Sequence, residues 1–140
     1  MKISKPIVVI DTNVFLVSIL PHFSYYWIYE KLLNNKYELL LTNEILMEYE
    51  EQIALRYGVD KTEAELDFLL LLPNVKRITP FYHWNLITAD VDDNKFVDCA
   101  VSGNADFIVT QDKHFNVLKQ IDFPRIKVLD INGFKTLLSK

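Results

Sequence analysis

Four acidic side chains in this sequence of 140 residues could together perform metal-assisted chemistry: Asp11, Glu48, Asp93 and Asp112. Carboxylates held close together repel one another and destabilise a fold unless a cation compensates them. Ligands that are all oxygen atoms favour a hard ion, Mg²⁺ or Mn²⁺. One such ion, or a pair about 4 Å apart, could generate a nucleophile at neutral pH and neutralise a phosphate, which are the requirements of phosphodiester hydrolysis.

The sequence offers few residues for other kinds of catalysis. His22, His83 and His114 form no metal or acid–base pattern, and cleavage of RNA through its 2′-hydroxyl usually needs positioned histidines. With only 3 glycines, the chain contains neither a phosphate-binding glycine loop nor a dinucleotide fingerprint. The single cysteine, Cys99, excludes a thiolate metal cluster within one chain.

Each of the four acids also has a purely structural interpretation. Asp11 could form an Asx-turn, and Asp93 and Asp112 could be helix N-caps, which are common roles of aspartate. Glu48 shares a helix face with Glu44 and Glu51, which is typical of a solvated acidic surface. The functional interpretation therefore depends on the four acids lying together.

Apolar runs of strand length alternate with segments of helical period along the chain. Five runs predict strands, at 6–10, 37–41, 75–79, 107–110 and 126–129. The first run is wholly apolar and β-branched, as in a strand buried on both faces of a parallel sheet. The intervening segments predict helices at about 24–35, 44–57, 60–72, 90–104, 113–119 and after 130.

Side chains at the starts of four of these helices predict where they begin. Ser24 and Asp130 are expected to be N-caps, as is Thr42 ahead of a helix that Gly58 ends. Asp60 and Glu63 have the spacing of a capping box.

Strands that alternate with helices predict one α/β domain over 1–140, a three-layer α/β/α sandwich around a parallel sheet of about five strands. In such a sheet, ligands bind beyond the carboxyl ends of the strands. Asp11 directly follows the first strand, Asp112 follows the fourth, and Glu48 and Asp93 lie near the starts of helices that begin at this edge. We therefore expect the four acids to meet there.

Four motifs in order along the chain carry a resemblance to a known family. They are Val-Val-Ile-Asp-Thr-Asn ending at Asn13, Thr42 with Glu48, Asp-Asp-Asn-Lys-Phe starting at Asp92, and Ala-Asp-Phe-Ile-Val-Thr-Gln-Asp ending at Asp112. Together they resemble the motifs of PIN domains, and more narrowly those of the prokaryotic PIN-family toxins of toxin–antitoxin systems, relatives of the VapC toxins. The resemblance covers nearly the whole chain.

The resemblance implies a metal-dependent ribonuclease that cuts single-stranded RNA to leave 5′-phosphate and 3′-hydroxyl ends. The family's acidic quartet corresponds to Asp11, Glu48, Asp93 and Asp112, with Asp11 as the central ligand and Glu48 binding metal or orienting water. Its small polar residues correspond to Asn13 and Thr110. Asp98 is expected to support the ligands or to lie at the surface, and Asp92 could exchange roles with Asp93.

Several features are left open by the sequence. Lys95 and Lys113 lie near two of the ligands and could contact phosphate, although solvated side chains are the simpler interpretation. An aspartyl-phosphate phosphatase would also place an aspartate after the first strand, but Asn13 stands where that class has its second acid. A PIN fold can also act as a non-catalytic scaffold for protein interaction.

Composition limits the partners and the compartment. The net charge of −4 argues against binding a polyanion through bulk charge. No apolar run approaches the ~18 residues of a membrane helix, and a single cysteine fits a reducing compartment, so we expect a cytoplasmic protein. The expected partners are RNA and, for a toxin, an antitoxin protein. The aromatic clusters at 25–27 and 81–84 could form a homodimer face or a groove for the partner.

Overall fold

A parallel sheet of five strands organises the molecule, whose computed structural model describes residues 5–139. The strands are β1 (Ile7–Ile10), β2 (Glu38–Leu41), β3 (Val75–Arg77), β4 (Phe107–Val109) and β5 (Val128–Leu129). Their order is β3-β2-β1-β4-β5, and every neighbouring pair is parallel. The predicted fold class is confirmed. The two edge strands are shorter than predicted, since β3 ends at Arg77 and β5 begins at Val128.

Helices cover both faces of this sheet. They are α1 (Thr12–Leu16), α2 (Tyr26–Leu33), α3 (Asn43–Tyr57), α4 (Val59–Leu71), α5 (Asn94–Ser102) and α6 (Ile131–Leu138), with 3₁₀ helices at Val91–Asp93 and Lys113–Gln120. Val8 and Val9 in β1, Leu39 in β2 and Ile108 in β4 are fully buried. Complete burial of the central strands explains their uninterrupted apolar sequence.

The strand order creates a crevice at the carboxyl ends of β1 and β4. The chain moves outward from β1 through β2 to β3, and then returns through α5 to β4 on the other side of β1. Right-handed crossovers therefore place the earlier helices and α5 on opposite faces. Such a switch point leaves the space beside the strand ends free of crossing connections, which is where ligands bind in α/β sheets.

The helix boundaries agree in part with the predicted caps. The Thr42 hydroxyl accepts a hydrogen bond from the Ile45 amide, and the Asp130 carboxylate accepts one from Gly133, as expected of N-caps. The predicted cap at Ser24 is wrong, because α2 begins after Tyr25 without a side-chain cap. The predicted capping box at Asp60 is also wrong: Gly58, with φ of 92°, ends α3 and begins α4 at once, so Asp60 lies inside the first turn.

Two short elements beside the crevice differ from expectation. The sequence predicts no helix directly after β1, whereas the structure has α1 there, with Val14, Phe15 and Leu16 buried. The segment after β4 is helical as predicted, but it is a 3₁₀ helix. No helix within residues 5–139 is long and apolar enough to cross a membrane.

Candidate active site

The four predicted carboxylates line one cavity of about 260 Å³ at the carboxyl ends of β1 and β4. Asp11 follows β1, Glu48 lies in the second turn of α3, Asp93 ends the 3₁₀ helix before α5, and Asp112 follows β4. Residues from four separate parts of the chain therefore meet in one small space. The cavity is also lined by Thr12, Asn13, Gln52, Asp90, Asp92 and Phe96.

Asp11 is the most rigidly held of the four acids. Its side chain is only 5% exposed. One carboxylate oxygen accepts a hydrogen bond of 2.9 Å from the Val14 amide, as the N-cap of α1, and the other accepts one from the Thr110 hydroxyl. Burial raises the pKa of Asp11, as do Asp112 and Glu48 nearby, whereas the two hydrogen bonds lower it. The fold thus holds a carboxylate in a place that disfavours its charge.

Glu48 is held by two neighbours at the other side of the cavity. One carboxylate oxygen accepts a hydrogen bond from the Thr12 hydroxyl in α1. The other lies 2.8 Å from the ammonium nitrogen of Lys95, which also donates to the Asp92 carbonyl at 2.8 Å. The Lys95 side chain is only 11% exposed, so the simpler interpretation of Lys95 as a solvated lysine is wrong. Its ion pair with Glu48 ties α5 to α3 beside the cavity.

Asp93 carries an unsatisfied oxygen. Its Oδ2 atom is buried and has no hydrogen-bond partner among the described residues. Burial is the main cause that raises the pKa of this carboxyl group to about 7, and the charges of Asp90, Asp112 and Asp11 act in the same direction. A buried polar atom without a partner is unusual in folded proteins and calls for a ligand or a functional explanation.

His114 adds a nitrogen to the same cluster. Its Nδ1 atom lies 3.4 Å from the Asp112 carboxylate and 3.8 Å from that of Asp93. Asp90, Asp93 and His114 each offer one ligand atom, and these atoms all lie within 4.8 Å of one another. The geometry is compatible with a shared cation at this end of the cavity.

The residues predicted to support the site lie in different places. Thr110 contacts Asp11 directly, and its hydroxyl also accepts from the Asp112 amide at 3.0 Å. Asn13 and Asp92 line the cavity with exposed side chains. Asp98 is buried elsewhere: its carboxylate accepts from the Trp84 amide and contacts the His83 ring, both at 2.9 Å, in the loop that follows β3.

Sequence reasoning missed several residues of the cavity. Asp90 was expected only to begin a helix, yet it caps the 3₁₀ turn and lies beside Asp93. Thr12 was part of the first family motif without a role of its own, yet its hydroxyl donates to the Glu48 carboxylate. The spacing of Asp90 and Asp93 in the sequence could have indicated the role of Asp90. No local pattern could have indicated the contact of Thr12, because Thr12 and Glu48 belong to different elements.

The donor set fits a divalent cation of the hard class. Carboxylate oxygens dominate the cavity, and such oxygens are the ligands that Mg²⁺ and Mn²⁺ prefer. The Oδ2 atom of Asp93 has no partner among the described residues, and the pKa values of Asp93 and Asp11 are raised. Both features are expected of carboxylates that bind a cation, when the cation is not bound. Asp11, Glu48, Asp93 and Asp112 are the residues that would hold such a cation.

Solved structures share this fold. VapBC2 from Rickettsia felis, bound to a DNA fragment from its promoter, is 19% identical with a TM-score of 0.62, over 89% of this chain and 98% of that chain. Mycobacterium tuberculosis VapC20, a sarcin-ricin loop cleaving toxin, is 12% identical with a TM-score of 0.51, over 72% and 86%. The PIN domain endonuclease Utp24 is 17% identical with a TM-score of 0.52, over 91% and 86%.

Sequence comparison identifies the family. No curated protein sequence matches the chain. The profile of the PIN domain matches residues 7–114, which extends from β1 through Asp112 to His114 and includes the four predicted carboxylates. The resemblance inferred from the four motifs is confirmed. The chain belongs to the PIN domain family.

Proposed function

We propose that the chain is a Mg²⁺- or Mn²⁺-dependent endoribonuclease that hydrolyses phosphodiester bonds of single-stranded RNA, and that it is the toxin of a type II toxin–antitoxin pair. The observation that carries the proposal is the convergence of Asp11, Glu48, Asp93 and Asp112 on one cavity at the switch point of the sheet. Two proteins of the same fold support it, because Utp24 is a PIN domain endonuclease and VapC20 is a sarcin-ricin loop cleaving toxin.

The cavity residues divide the work of binding and orientation. Asp11 is fixed by the Val14 amide and the Thr110 hydroxyl, which suits a central ligand more than a mobile nucleophile. Asp93 and Asp112 complete the ligand set from the facing side, and Glu48, held by Thr12 and Lys95, is placed to bind metal or to orient the attacking water. A bound divalent ion supplies an activated water at neutral pH and neutralises charge on the scissile phosphate.

The proposal includes partners and organisation. The whole sequence, 1–140, forms one PIN-like domain that acts on RNA in the cytoplasm. Several similar structures are VapBC or FitAB complexes, which supports a cognate antitoxin as a protein partner. A homodimer is also part of the proposal. Size-exclusion chromatography with light scattering tests it, and a protein that stays monomeric at high concentration would contradict it.

Cleavage of a mixed pool of single-stranded RNA tests the activity. We expect cleavage with Mn²⁺ or Mg²⁺, none with EDTA, and products with 5′-phosphate and 3′-hydroxyl ends. Asp11→Asn keeps an oxygen acceptor for the Val14 amide but loses the negative charge. The cleavage rate should fall about 100-fold or more, which exceeds the loss usually seen when a residue that only supports a metal ligand is changed.

The matched control is Asp67→Asn, which removes an exposed carboxylate on α4 outside the cavity and should leave cleavage unchanged. Equal metal-dependent rates in wild type and Asp11→Asn would contradict the assigned chemistry. A folded wild-type protein that cleaves no RNA in either metal would support the non-catalytic scaffold instead.

A further inference from the structure

A second cavity opens at the opposite edge of the sheet, at the amino ends of the strands. It has a volume of about 770 Å³ and lies against the starts of β1, β4 and β5 and the ends of α2 and α6. β1 spans four residues, so about 13 Å of strand separates this cavity from the acidic one. The second cavity is therefore not part of the proposed nuclease site.

The second cavity is strongly basic in a protein whose net charge is −4. Five of the 15 lysine and arginine side chains line it, together with one carboxylate, Asp106. The five cations are Lys5, Lys31, Lys36, Arg125 and Lys127. Such a concentration of positive charge attracts anions and raises their local concentration.

These cations are not neutralised within the part of the chain that the structure describes. None of the five takes part in an ion pair with a carboxylate of residues 5–139. Asp106 is instead committed to the backbone: its carboxylate accepts a 2.8 Å hydrogen bond from the Ile7 amide. Lys5 donates to the amide oxygen of Asn35 at 2.7 Å, a neutral partner.

Interaction with helix ends explains the positions of only some of these cations. Lys31 lies in the last turn of α2 and Lys36 closely follows it, where cations complement the negative end of a helix dipole. Lys5, Arg125 and Lys127 precede strands or lie in a loop, where no such effect operates. The carboxyl ends of α2 and α6 both lie at the cavity and together contribute about one negative charge, which is too little to balance five cations.

The floor of the cavity is apolar and held by backbone hydrogen bonds. Half-buried side chains of Pro6, Ala105, Phe107, Leu137 and Leu138 line it. The Asp106 amide donates to the Ile7 carbonyl at 2.6 Å, and the Glu38 amide donates to the Pro6 carbonyl at 2.9 Å. A preformed apolar surface with cations at its rim suits a ligand that has a flat ring and several negative charges.

We propose that this basic cavity binds a nucleoside di- or triphosphate, with its phosphates on the lysine and arginine side chains and its base against the apolar floor. The volume lies within the range of about 300–1,000 Å³ that is usual for small-molecule sites. Lysine and arginine both bind phosphate oxygens through charge-assisted hydrogen bonds. This inference does not depend on the proposed nuclease activity.

Isothermal titration calorimetry with ATP, GTP, CTP and UTP tests the proposal, in EDTA so that divalent ions stay out of the acidic cavity. At least one nucleotide should bind the wild-type protein. The double variant Lys36→Glu/Lys127→Glu changes two exposed lysines of the cavity, and each lost charge-assisted contact should weaken binding about tenfold. The matched control Lys76→Glu/Lys119→Glu makes the same change of net charge at exposed lysines outside the cavity and should bind as the wild type does.

The contrary outcomes are distinct. No binding of any nucleotide, or equal loss in both double variants, would overturn the proposal. So would binding of a single-stranded RNA decamer without terminal phosphates in the absence of nucleotide binding, since the cations would then contact an RNA backbone. Amide shifts in NMR spectra should map to 105–107 and 125–127; shifts confined to 110–114 at the acidic edge would contradict the assigned location.

Discussion

At the scale of single residues, the environment of each cavity acid decides its protonation. Asp11 and Asp93 are chemically identical, but only Asp11 has hydrogen-bond donors on both carboxylate oxygens. These donors oppose the effect of burial on the pKa of Asp11, while Oδ2 of Asp93 has no donor and the pKa of Asp93 rises to about 7. Asp93 is therefore the acid whose charge depends most on a bound cation.

Stability without metal should fall with pH because of Asp93. Its pKa is raised from 3.8 to about 7, so the folded state holds a proton that the unfolded state releases. The stabilising contribution is fully present below pH 3.8 and is lost as the pH rises through about 7. The thermal unfolding midpoint of Asp93→Asn in EDTA should exceed that of the wild type at pH 8. The difference should be about 3 °C for each ~1 kcal/mol by which the substitution raises the free energy of unfolding. A lower midpoint for Asp93→Asn at pH 8 would contradict this account.

Lys95 is predicted to act as a positioning residue for Glu48. Lys95→Met keeps most of the aliphatic length but removes the ammonium group 2.8 Å from the Glu48 carboxylate. We expect single-turnover RNA cleavage to slow about tenfold, since misplaced orienting groups have effects of this order. Lys95→Arg should restore part of the rate, whereas Lys113→Met, at an exposed lysine beside Asp112, should not change it. Unchanged cleavage in Lys95→Met would exclude the positioning role.

At the scale of elements, the long loop between β3 and α5 is fastened to the helix that follows it. The Asp98 carboxylate binds the Trp84 amide and the His83 ring, and the Asn94 side chain both accepts from and donates to the Ile87 backbone at 2.9 Å. Both anchoring residues are buried. The loop leads directly to Asp90 and Asp93, so its attachment to α5 determines where one side of the cavity lies.

Asp98→Ala should lower stability without removing a metal ligand. Loss of this buried carboxylate leaves the Trp84 amide without its acceptor, at a cost of about 1–3 kcal/mol in the free energy of unfolding. Affinity for Mn²⁺, measured by calorimetry on the folded variant, should remain near the wild-type value. In Asp93→Asn the affinity should fall sharply, and an equally sharp fall in Asp98→Ala would show that Asp98 belongs to the site.

At the scale of the whole molecule, charge is separated across the sheet. Carboxylates meet at the carboxyl ends of the strands, whereas five cations lie at the amino ends. The net charge of −4 conceals this separation. Divalent ions and the RNA phosphate that they activate are therefore expected to bind at the carboxyl edge, and nucleotides at the amino edge.

Divalent ions should stabilise the fold as a whole. An ion that binds only the folded state at about 100 times its Kd adds about 2.7 kcal/mol, or about 5–10 °C in the unfolding midpoint of a domain of this size. Differential scanning fluorimetry with Mn²⁺ and Mg²⁺ measures this shift. The variant Asp11→Asn/Asp112→Asn should lose it, and Asp67→Asn should keep it. An equal shift in all three proteins would place the bound ions outside the cavity.

The sequence by itself determined the class of fold and the four candidate ligands. Buried parallel strands require uninterrupted apolar runs, and an aspartate within a few residues of the end of such a run must lie near the carboxyl edge, so Asp11 and Asp112 could be placed without coordinates. Thr42 and Asp130 were identifiable as caps because a cap bonds within a few residues of itself. These features all depend on local geometry.

Only the tertiary structure decided which side chains touch across elements. The pairing of Lys95 with Glu48, the contact of Thr12 with Glu48, and the burial of Asp98 against the loop join segments that are distant in sequence. The basic cavity likewise gathers five cations, three from the first 36 residues and two from residues 125–127. Such contacts depend on how helices and strands pack against one another, and the residue pattern within one segment does not predict that packing.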